Sequence, residues 1–161
     1  MQTGLRRCPV AAVLGLPVGR VAVYGDHNAI EYIEFQPPGT ALMAPRCAPA
    51  RRFAAQLQAY LEAAENGFDV PLADDVGSAH QRRVWQRLRA IPVGAAISYG
   101  ELARDVGSGA RAVANACRAN WFPLVVPCHR VVAKSGPGGF AGQRDGWQLA
   151  LKQWLLRHEQ G

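Results

Sequence analysis

The sequence predicts an α+β fold, with a small N-terminal antiparallel sheet and one helix followed by a mostly helical second half. Short β-rich runs separated by turn residues occur early in the chain, and helical periodicity dominates the rest. The chain has 161 residues, of which 49% are apolar and 19% are charged. It can therefore bury a core, and its length suits one compact unit or two small halves.

The first half is predicted to contain a β-hairpin, a helix and a short strand. Residues 18–23 and 29–35 are β-rich and flank the turn Gly25-Asp26-His27-Asn28. Apolar positions between residues 49 and 64 recur on one helical face, and Asn66-Gly67 is a typical helix end. We expect a short strand at residues 68–72.

The second half is predicted to be helical around one buried strand. A helix is expected over residues 80–90, and Ser98 with Glu101 forms a capping box that starts another at Tyr99. Gly107 should end that helix, and Ser108 should cap the next over residues 110–119. Two such helices resemble a helix-turn-helix. The apolar residues 124–126 predict a strand, and residues 147–158 a final amphipathic helix.

Charge divides the chain into two halves. The predicted boundary, at residues 73–77, separates 1–77, with a net charge of −2, from 78–161, with +8. The basic half is suited to a polyanion such as nucleic acid. On charge alone, a solvated basic surface is an equally good interpretation.

Several classes of protein are excluded by the sequence. No apolar run approaches the ~18 residues of a membrane span, and the N-terminus is a poor secretory signal. Four scattered cysteines without a CxxC argue against a disulfide scaffold. Cys8, Cys47 and His27 could bind zinc, but their spacing matches no standard motif, so we predict no metal. We expect a cytoplasmic protein with reduced thiols.

The run Pro127-Cys128-His129-Arg130 is the strongest chemical signal in the chain. A cysteine beside a base and a cation can acquire thiolate character and act as a nucleophile. Adjacent side chains rarely hydrogen-bond each other, however, and most free cysteines are buried and inert. The adjacency of Cys128 and His129 alone therefore favours the inert interpretation.

The surrounding residues favour a nucleophile, because the second half resembles the O6-alkylguanine-DNA alkyltransferases, also called methylated-DNA–protein-cysteine methyltransferases. The matching segments are Tyr99-Gly100-Glu101-Leu102-Ala103, Ala110-Arg111-Ala112-Val113, Arg118-Ala119-Asn120, 125–132 and 154–159. The resemblance implies a ribonuclease H-like domain at 1–77 and a DNA-binding, catalytic domain at 78–161.

The resemblance also implies an activity. Such proteins move an alkyl group from O6 of guanine in DNA to their own cysteine, once per molecule and without a cofactor. O4-alkylthymine is a further candidate substrate. We expect a monomer that acts on double-stranded DNA, with single-stranded DNA as the alternative.

Five residues match the catalytic positions of the family. Cys128 matches the nucleophile, His129 the base that acts through a water, and Glu159 the carboxylate that orients this base. Asn120 matches the amide that ties the preceding turn to the active site, and Tyr99 the phenol that donates to guanine N3. This relay predicts a thiol pKa below the ~8.5 of free cysteine.

Other positions match the contacts with DNA and with the extruded base. Arg111 matches the arginine that fills the space left by the base, and the small Ala112 and Ala114 suit a helix in the minor groove. Arg118 and Arg130 are predicted contacts with the DNA backbone. The predicted guanine pocket comprises Val131, Phe140 and Ala141.

Two departures from the family pattern flank this pocket. The loop between residues 128 and 140 is shorter than in many relatives, and the extra residues 143–146 lengthen the following segment, which leaves the range of alkyl groups open. One rival function is a non-enzymatic binder of alkylated DNA. The alkyltransferase-like proteins, which share this scaffold, are such binders and have no cysteine at the reactive position. A second rival is a helix-turn-helix regulator without chemistry.

Overall fold

A computed structural model describes residues 8–65, 67–134 and 146–161 of the chain. The chain divides into two compact units, Met1–Val76 and Gly77–Gly161, each of which is described by itself. This division lies one residue from the boundary expected from the sequence. The likeness of the first unit to ribonuclease H stays a prediction.

The first unit contains a three-stranded antiparallel sheet in the order β1-β2-β3. Its strands are β1 (Val10–Gly15), β2 (Arg20–Gly25) and β3 (Ile30–Gln36). The predicted hairpin is β2-β3, and its boundaries shift by one or two residues. Strand β1 was not predicted, because a short apolar run without alternation does not identify a strand.

Helix α1 (Ala48–Glu62) contributes to the core of this unit. Phe53 is completely buried, and its ring stacks on that of Phe68 with 5.1 Å between centroids. The predicted end of the helix at Gly67 is wrong. The helix ends at Glu62, and its cap residue Ala63 has extended geometry.

Residues 68–72 form one bridge to the sheet where a strand was expected. Leu72 pairs with Ile30 in parallel, and Ile30 N donates to Pro71 O at 2.8 Å. Pro71 has no backbone N–H, so it cannot donate the hydrogen bond that would extend this bridge into a longer strand pairing.

The second unit is mostly helical, which together with the sheet of the first unit confirms the α+β class. Its elements are α2 (Ala79–Arg89), β4 (Ile97–Ser98), α3 (Tyr99–Val106), α4 (Ala110–Arg118), β5 (Val131–Val132) and α5 (Gly146–Gln160). Strands β4 and β5 pair in parallel. The 3₁₀ turn Cys128–Arg130 directly precedes β5.

The helix pair α3 and α4 is positioned by local signals and by α2. Ser98 Oγ accepts from Glu101 N at 3.0 Å, and Gly107 ends α3 with a φ of 67°, as predicted. Trp85 of α2 donates from its indole Nε1 to Ala116 O at 2.9 Å, which fastens α4 to α2.

The predicted cap of α4 is wrong by one residue. The N-cap of α4 is Gly109, which has no side chain to accept a hydrogen bond from the first turn of the helix. Ser108 Oγ lies instead 2.9 Å from His80 Nε2, so this hydroxyl links the turn before α4 to α2.

The predicted strand at residues 124–126 is a turn. Leu124 has a φ of 74°, and Val126 N donates to Phe122 O at 2.7 Å. All three residues are buried. Their apolar side chains therefore reflect a position in the core and do not require an extended backbone.

None of the helices in residues 8–65, 67–134 and 146–161 is long and apolar enough to cross a membrane.

Candidate active site

Asn120 shapes the loop that leads from α4 to the 3₁₀ turn. Its amide Nδ2 donates to Val126 O at 2.7 Å, and its Oδ1 accepts from Phe122 N at 2.9 Å. The side chain of Asn120 therefore bonds the backbone at Phe122 and at Val126. These bonds take the place of the hydrogen bonds to a neighbouring strand that an extended segment would have made. The part that Asn120 plays in the active site stays a prediction.

Cys128 is the first residue of the 3₁₀ turn and is 8% exposed. Burial raises the pKa of its thiol, whereas a hydrogen bond with Asn120 and the charge of Lys152 act in the opposite direction. The predicted depression of this pKa is therefore wrong in direction, because burial of the thiol outweighs the effects of the neighbouring groups. The resting thiol keeps its proton, and its activation requires a base.

His129 and Glu159 form a buried pair that can supply this base. His129 Nε2 lies 2.7 Å from Glu159 Oε2, and the two residues are 2% and 8% exposed. A carboxylate can only accept, so we assign the proton to Nε2, which leaves Nδ1 as the basic atom. Burial lowers the pKa of His129, and the hydrogen bond and charge of Glu159 oppose this effect. The imidazole is thus neutral at pH 7 and able to take a proton.

Arg130 lies in the interior of the second unit. Its Nε and Nη2 donate to the two carboxylate oxygens of Glu159 at 2.8 and 2.9 Å, and Nη1 donates to Ile91 O at 2.7 Å. The residue is only 5% exposed. The prediction that Arg130 contacts the DNA backbone does not fit this burial. Its charge instead compensates the buried carboxylate.

Lys152 is a further charged residue of this region, and sequence analysis missed it. Its side chain is completely buried, and Nζ donates to Val131 O at 2.8 Å. A signal was present, because Lys152 and Glu159 lie with Leu151 and Leu155 on the one buried face of α5. Charged residues on an apolar helix face are rarely buried without partners.

Tyr99 begins α3 directly after β4. Its ring centroid lies 5.9 Å from Nζ of the buried Lys152. Burial raises the pKa of Tyr99 to about 12, with contributions from nearby cysteines. The phenol therefore stays protonated and can donate a hydrogen bond.

The predicted pocket is only partly within the described structure. Val131 is completely buried. Phe140 and Ala141 lie outside the described residues.

The predicted DNA-contacting residues of α4 lie on its outer face. Arg111, Ala112 and Arg118 are exposed, and Ala114 is half-buried. The opposite face of α4 is buried in the unit. The helix thus presents two arginines and small side chains to its surroundings, as a helix that enters a narrow groove requires.

The candidate zinc ligands do not come together in the described structure. No group of three or more His, Cys, Asp or Glu residues that could hold a metal occurs in residues 8–65, 67–134 and 146–161. Cys8 Sγ instead donates to Glu31 Oε2 at 3.0 Å.

Comparisons with known proteins agree with this architecture. Residues 79–161 match the family model described as the DNA-binding domain of 6-O-methylguanine DNA methyltransferase. A methylated-DNA–protein-cysteine methyltransferase from Methanosarcina acetivorans is 32% identical over 92% of this chain and 96% of its own length. A DNA base-flipping protein from Thermus thermophilus is 37% identical over 80% of this chain and 91% of its own.

Solved structures show the same likeness. The Mycobacterium tuberculosis OGT in complex with DNA has a TM-score of 0.75 and 33% identity, over 92% of this chain and 91% of the other. A second M. tuberculosis structure, of an O6-methylguanine methyltransferase, has a TM-score of 0.77 and 30% identity, over 94% and 93%. The sequence and structural matches extend over both units, and the chain belongs to the methylated-DNA–protein-cysteine methyltransferase family.

Proposed function

We propose that this protein repairs DNA by moving an alkyl group from O6 of guanine to Cys128, once per molecule. The observation that carries this proposal is the buried arrangement of Cys128, His129 and Glu159, with Arg130 as the counterion of the carboxylate. A structural cysteine needs no such arrangement, whereas a thiol that must lose its proton in the interior does.

The chemistry follows from these contacts. His129 Nδ1 takes the proton of Cys128, directly or through a water, and Glu159 stabilises the resulting imidazolium. The thiolate then attacks the alkyl carbon in line, so that an S–C bond forms as the C–O6 bond breaks. The electron pair of the broken bond leaves with guanine, and the phenol of Tyr99 donates a hydrogen bond that stabilises this charge. The product is a thioether, which makes each molecule single-use.

Access to the alkyl carbon requires extrusion of the base, because a thiol cannot reach it in line within the base stack. The exposed face of α4 supports this step. Arg111 would occupy the space left by the base, and the small Ala112 and Ala114 allow close approach to the minor groove. Arg118, also exposed, would contact the backbone. Double-stranded DNA is therefore the proposed substrate, with O4-alkylthymine as a further candidate lesion.

A non-catalytic binder of alkylated DNA is the second candidate. The likeness to a DNA base-flipping protein favours it, because recognition of an extruded base needs no chemistry. A binder would not require Cys128 or the relay beside it, however, and both are present here. We therefore favour transfer over binding alone.

We propose that the reaction takes place in the cytoplasm. All four cysteines, of which Cys128 must stay reduced to react, are free in this structure. Free thiols are typical of a reducing compartment.

Mass spectrometry after incubation with duplex DNA that contains O6-methylguanine tests the proposed function. We expect the Cys128 peptide to gain the mass of one CH₂ group and the DNA to lose its lesion in equal amount. Cys128→Ser should abolish the gain and keep DNA binding, while the matched variant Cys117→Ser should still react. An unchanged mass with tight binding would establish the second candidate instead.

A further inference from the structure

The turn before α4 is held by a side chain of α2. His80 Nε2 lies 2.9 Å from Ser108 Oγ, and both residues are half-buried. A serine beside the start of a helix commonly caps that helix through its hydroxyl. Here the cap position belongs to Gly109, and the hydroxyl of Ser108 is hydrogen-bonded to His80 instead. This departure from local capping requires a reason in the tertiary structure or in the function.

The backbone of this turn has little stiffness of its own. Ser108 stands between Gly107, which has a φ of 67° and ends α3, and Gly109, which directly precedes α4. Glycine restricts the backbone less than any other residue. Ser108 therefore carries the side chain by which the turn at residues 107–109 is attached to its surroundings.

Contacts with α2 hold α4 near its end and just before its start. The indole Nε1 of Trp85 donates to Ala116 O at 2.9 Å, which fixes the C-terminal half of α4. Residues 110–112 in its first turn are exposed, and burial begins at Val113. The first turn of α4 therefore depends for its position on the turn that His80 holds.

The first turn of α4 carries Arg111, the residue proposed to act on the extruded base. Arg111 follows Ser108 by three residues and precedes Ala116 by five, which is about 7.5 Å along the helix axis. A change of backbone direction at the glycine-flanked turn would therefore displace Arg111 while the Trp85 contact kept Ala116 in place. Misplacement of a functional group by about 1 Å can cost about 100-fold in rate.

We propose that His80 is a positioning residue for the repair of duplex DNA, whose hydrogen bond with Ser108 sets the place of Arg111 in the minor groove. The hydroxyl of Ser108 can donate or accept, so either tautomer of a neutral His80 makes this bond. The inference rests on the proposed function, in which Arg111 fills the space left by the extruded base. A free alkylated base needs no extrusion, so His80 should matter for duplex DNA alone.

The first test compares a duplex with a free base. Single-turnover transfer to Cys128 is measured with duplex DNA that contains O6-methylguanine and with O6-benzylguanine, for wild type, His80→Phe, His80→Gln and Ser108→Ala. Phenylalanine keeps a ring without a hydrogen bond, and glutamine keeps a side-chain donor and acceptor. We expect His80→Phe and Ser108→Ala to slow duplex repair about tenfold, and His80→Gln to recover part of this loss. All four proteins should react with the free base at similar rates.

Ser78→Ala supplies the matched control, because it weakens the same helix at its start. Ser78 Oγ accepts from Gln81 N at 3.1 Å as the cap of α2. We expect this variant to unfold at lower urea concentration and to keep the wild-type ratio of the two rates. Circular dichroism establishes that each variant is folded. Wild-type duplex repair in His80→Phe, or an equal loss in Ser78→Ala, would overturn the inference.

A second test asks whether His80 acts through Arg111. Duplex repair is measured for Arg111→Ala and for the double variant His80→Phe/Arg111→Ala. We expect the double variant to be no slower than Arg111→Ala, because the position of the turn no longer matters once the arginine is absent. A further tenfold loss in the double variant, or wild-type duplex repair in Arg111→Ala, would contradict the inference. Failure of the proposed function is distinguishable, because wild type would then show no mass gain at Cys128.

Discussion

His129 donates from Nε2 to Oε2 of Glu159 at 2.7 Å in the interior of the second unit. The same carboxylate accepts two hydrogen bonds from Arg130. Glu159 is therefore held in place by the guanidinium and is available to orient the imidazole with its basic Nδ1 free for the thiol proton. The relay therefore depends on Arg130 of the Pro127-Cys128-His129-Arg130 run, which positions Glu159 and does not contact DNA.

The pair should act as one unit on Cys128. Glu159→Gln removes the anion that stabilises imidazolium, and His129→Ala removes the base, so we expect slower alkyl transfer in both. Loss of a general base typically costs about 10²- to 10⁴-fold in rate. In the double variant, removal of the carboxylate should add little to the loss from His129→Ala. Single-turnover transfer from O6-benzylguanine measures all four proteins, and strictly additive losses would contradict the relay.

Arg130 should prove a stabilising residue. Arg130→Gln leaves Glu159 without its guanidinium, and removal of one partner of a buried ion pair typically costs about 3–5 kcal/mol. We expect a corresponding loss in the free energy of unfolding, measured with urea. The salt dependence of DNA affinity in the folded variant should match wild type, whereas Arg118→Gln should reduce its slope by about one. A reduced slope in Arg130→Gln with unchanged stability would restore the contact expected from the sequence.

Arg111 should matter for duplex DNA and not for a free base. Arg111→Ala removes the side chain proposed to hold the extruded state, and O6-benzylguanine in solution needs no extrusion. We expect repair of duplex DNA to slow much more than reaction with the free base. Rates with both substrates, measured on the same preparation, provide the comparison. Equal loss on both would indicate a folding defect.

The pH dependence of transfer should report the buried histidine. Burial lowers the pKa of His129, and the reaction requires its neutral form, so the rate should fall only below the ordinary value of ~6.5. Glu159 raises this pKa, so in Glu159→Gln the acid limb should move to still lower pH. Profiles with O6-benzylguanine measure both midpoints. A shift to higher pH in the variant would refute this assignment of the charges.

Local sequence signals predicted much of the second unit. Ser98 and Gly107 bound α3 as expected, since a cap hydroxyl and a left-handed glycine act over only a few residues. The signals failed where distant contacts decide the backbone. Residues 124–126 have the composition of a strand, but the amide of Asn120 bonds both ends of the loop and makes it a turn.

The sequence by itself determined the family and the identity of the candidate nucleophile, because the run around Cys128 is specific and contiguous. The pKa values and the charge pairs of the site were decided only by the tertiary structure. Burial raises the pKa of the Cys128 thiol, and the packed interior holds Arg130 against Glu159 and Lys152 against the backbone of Val131. Desolvation depends on every atom packed around a group, and the atoms around the 3₁₀ turn come from α2 and α5 as well as from the motif.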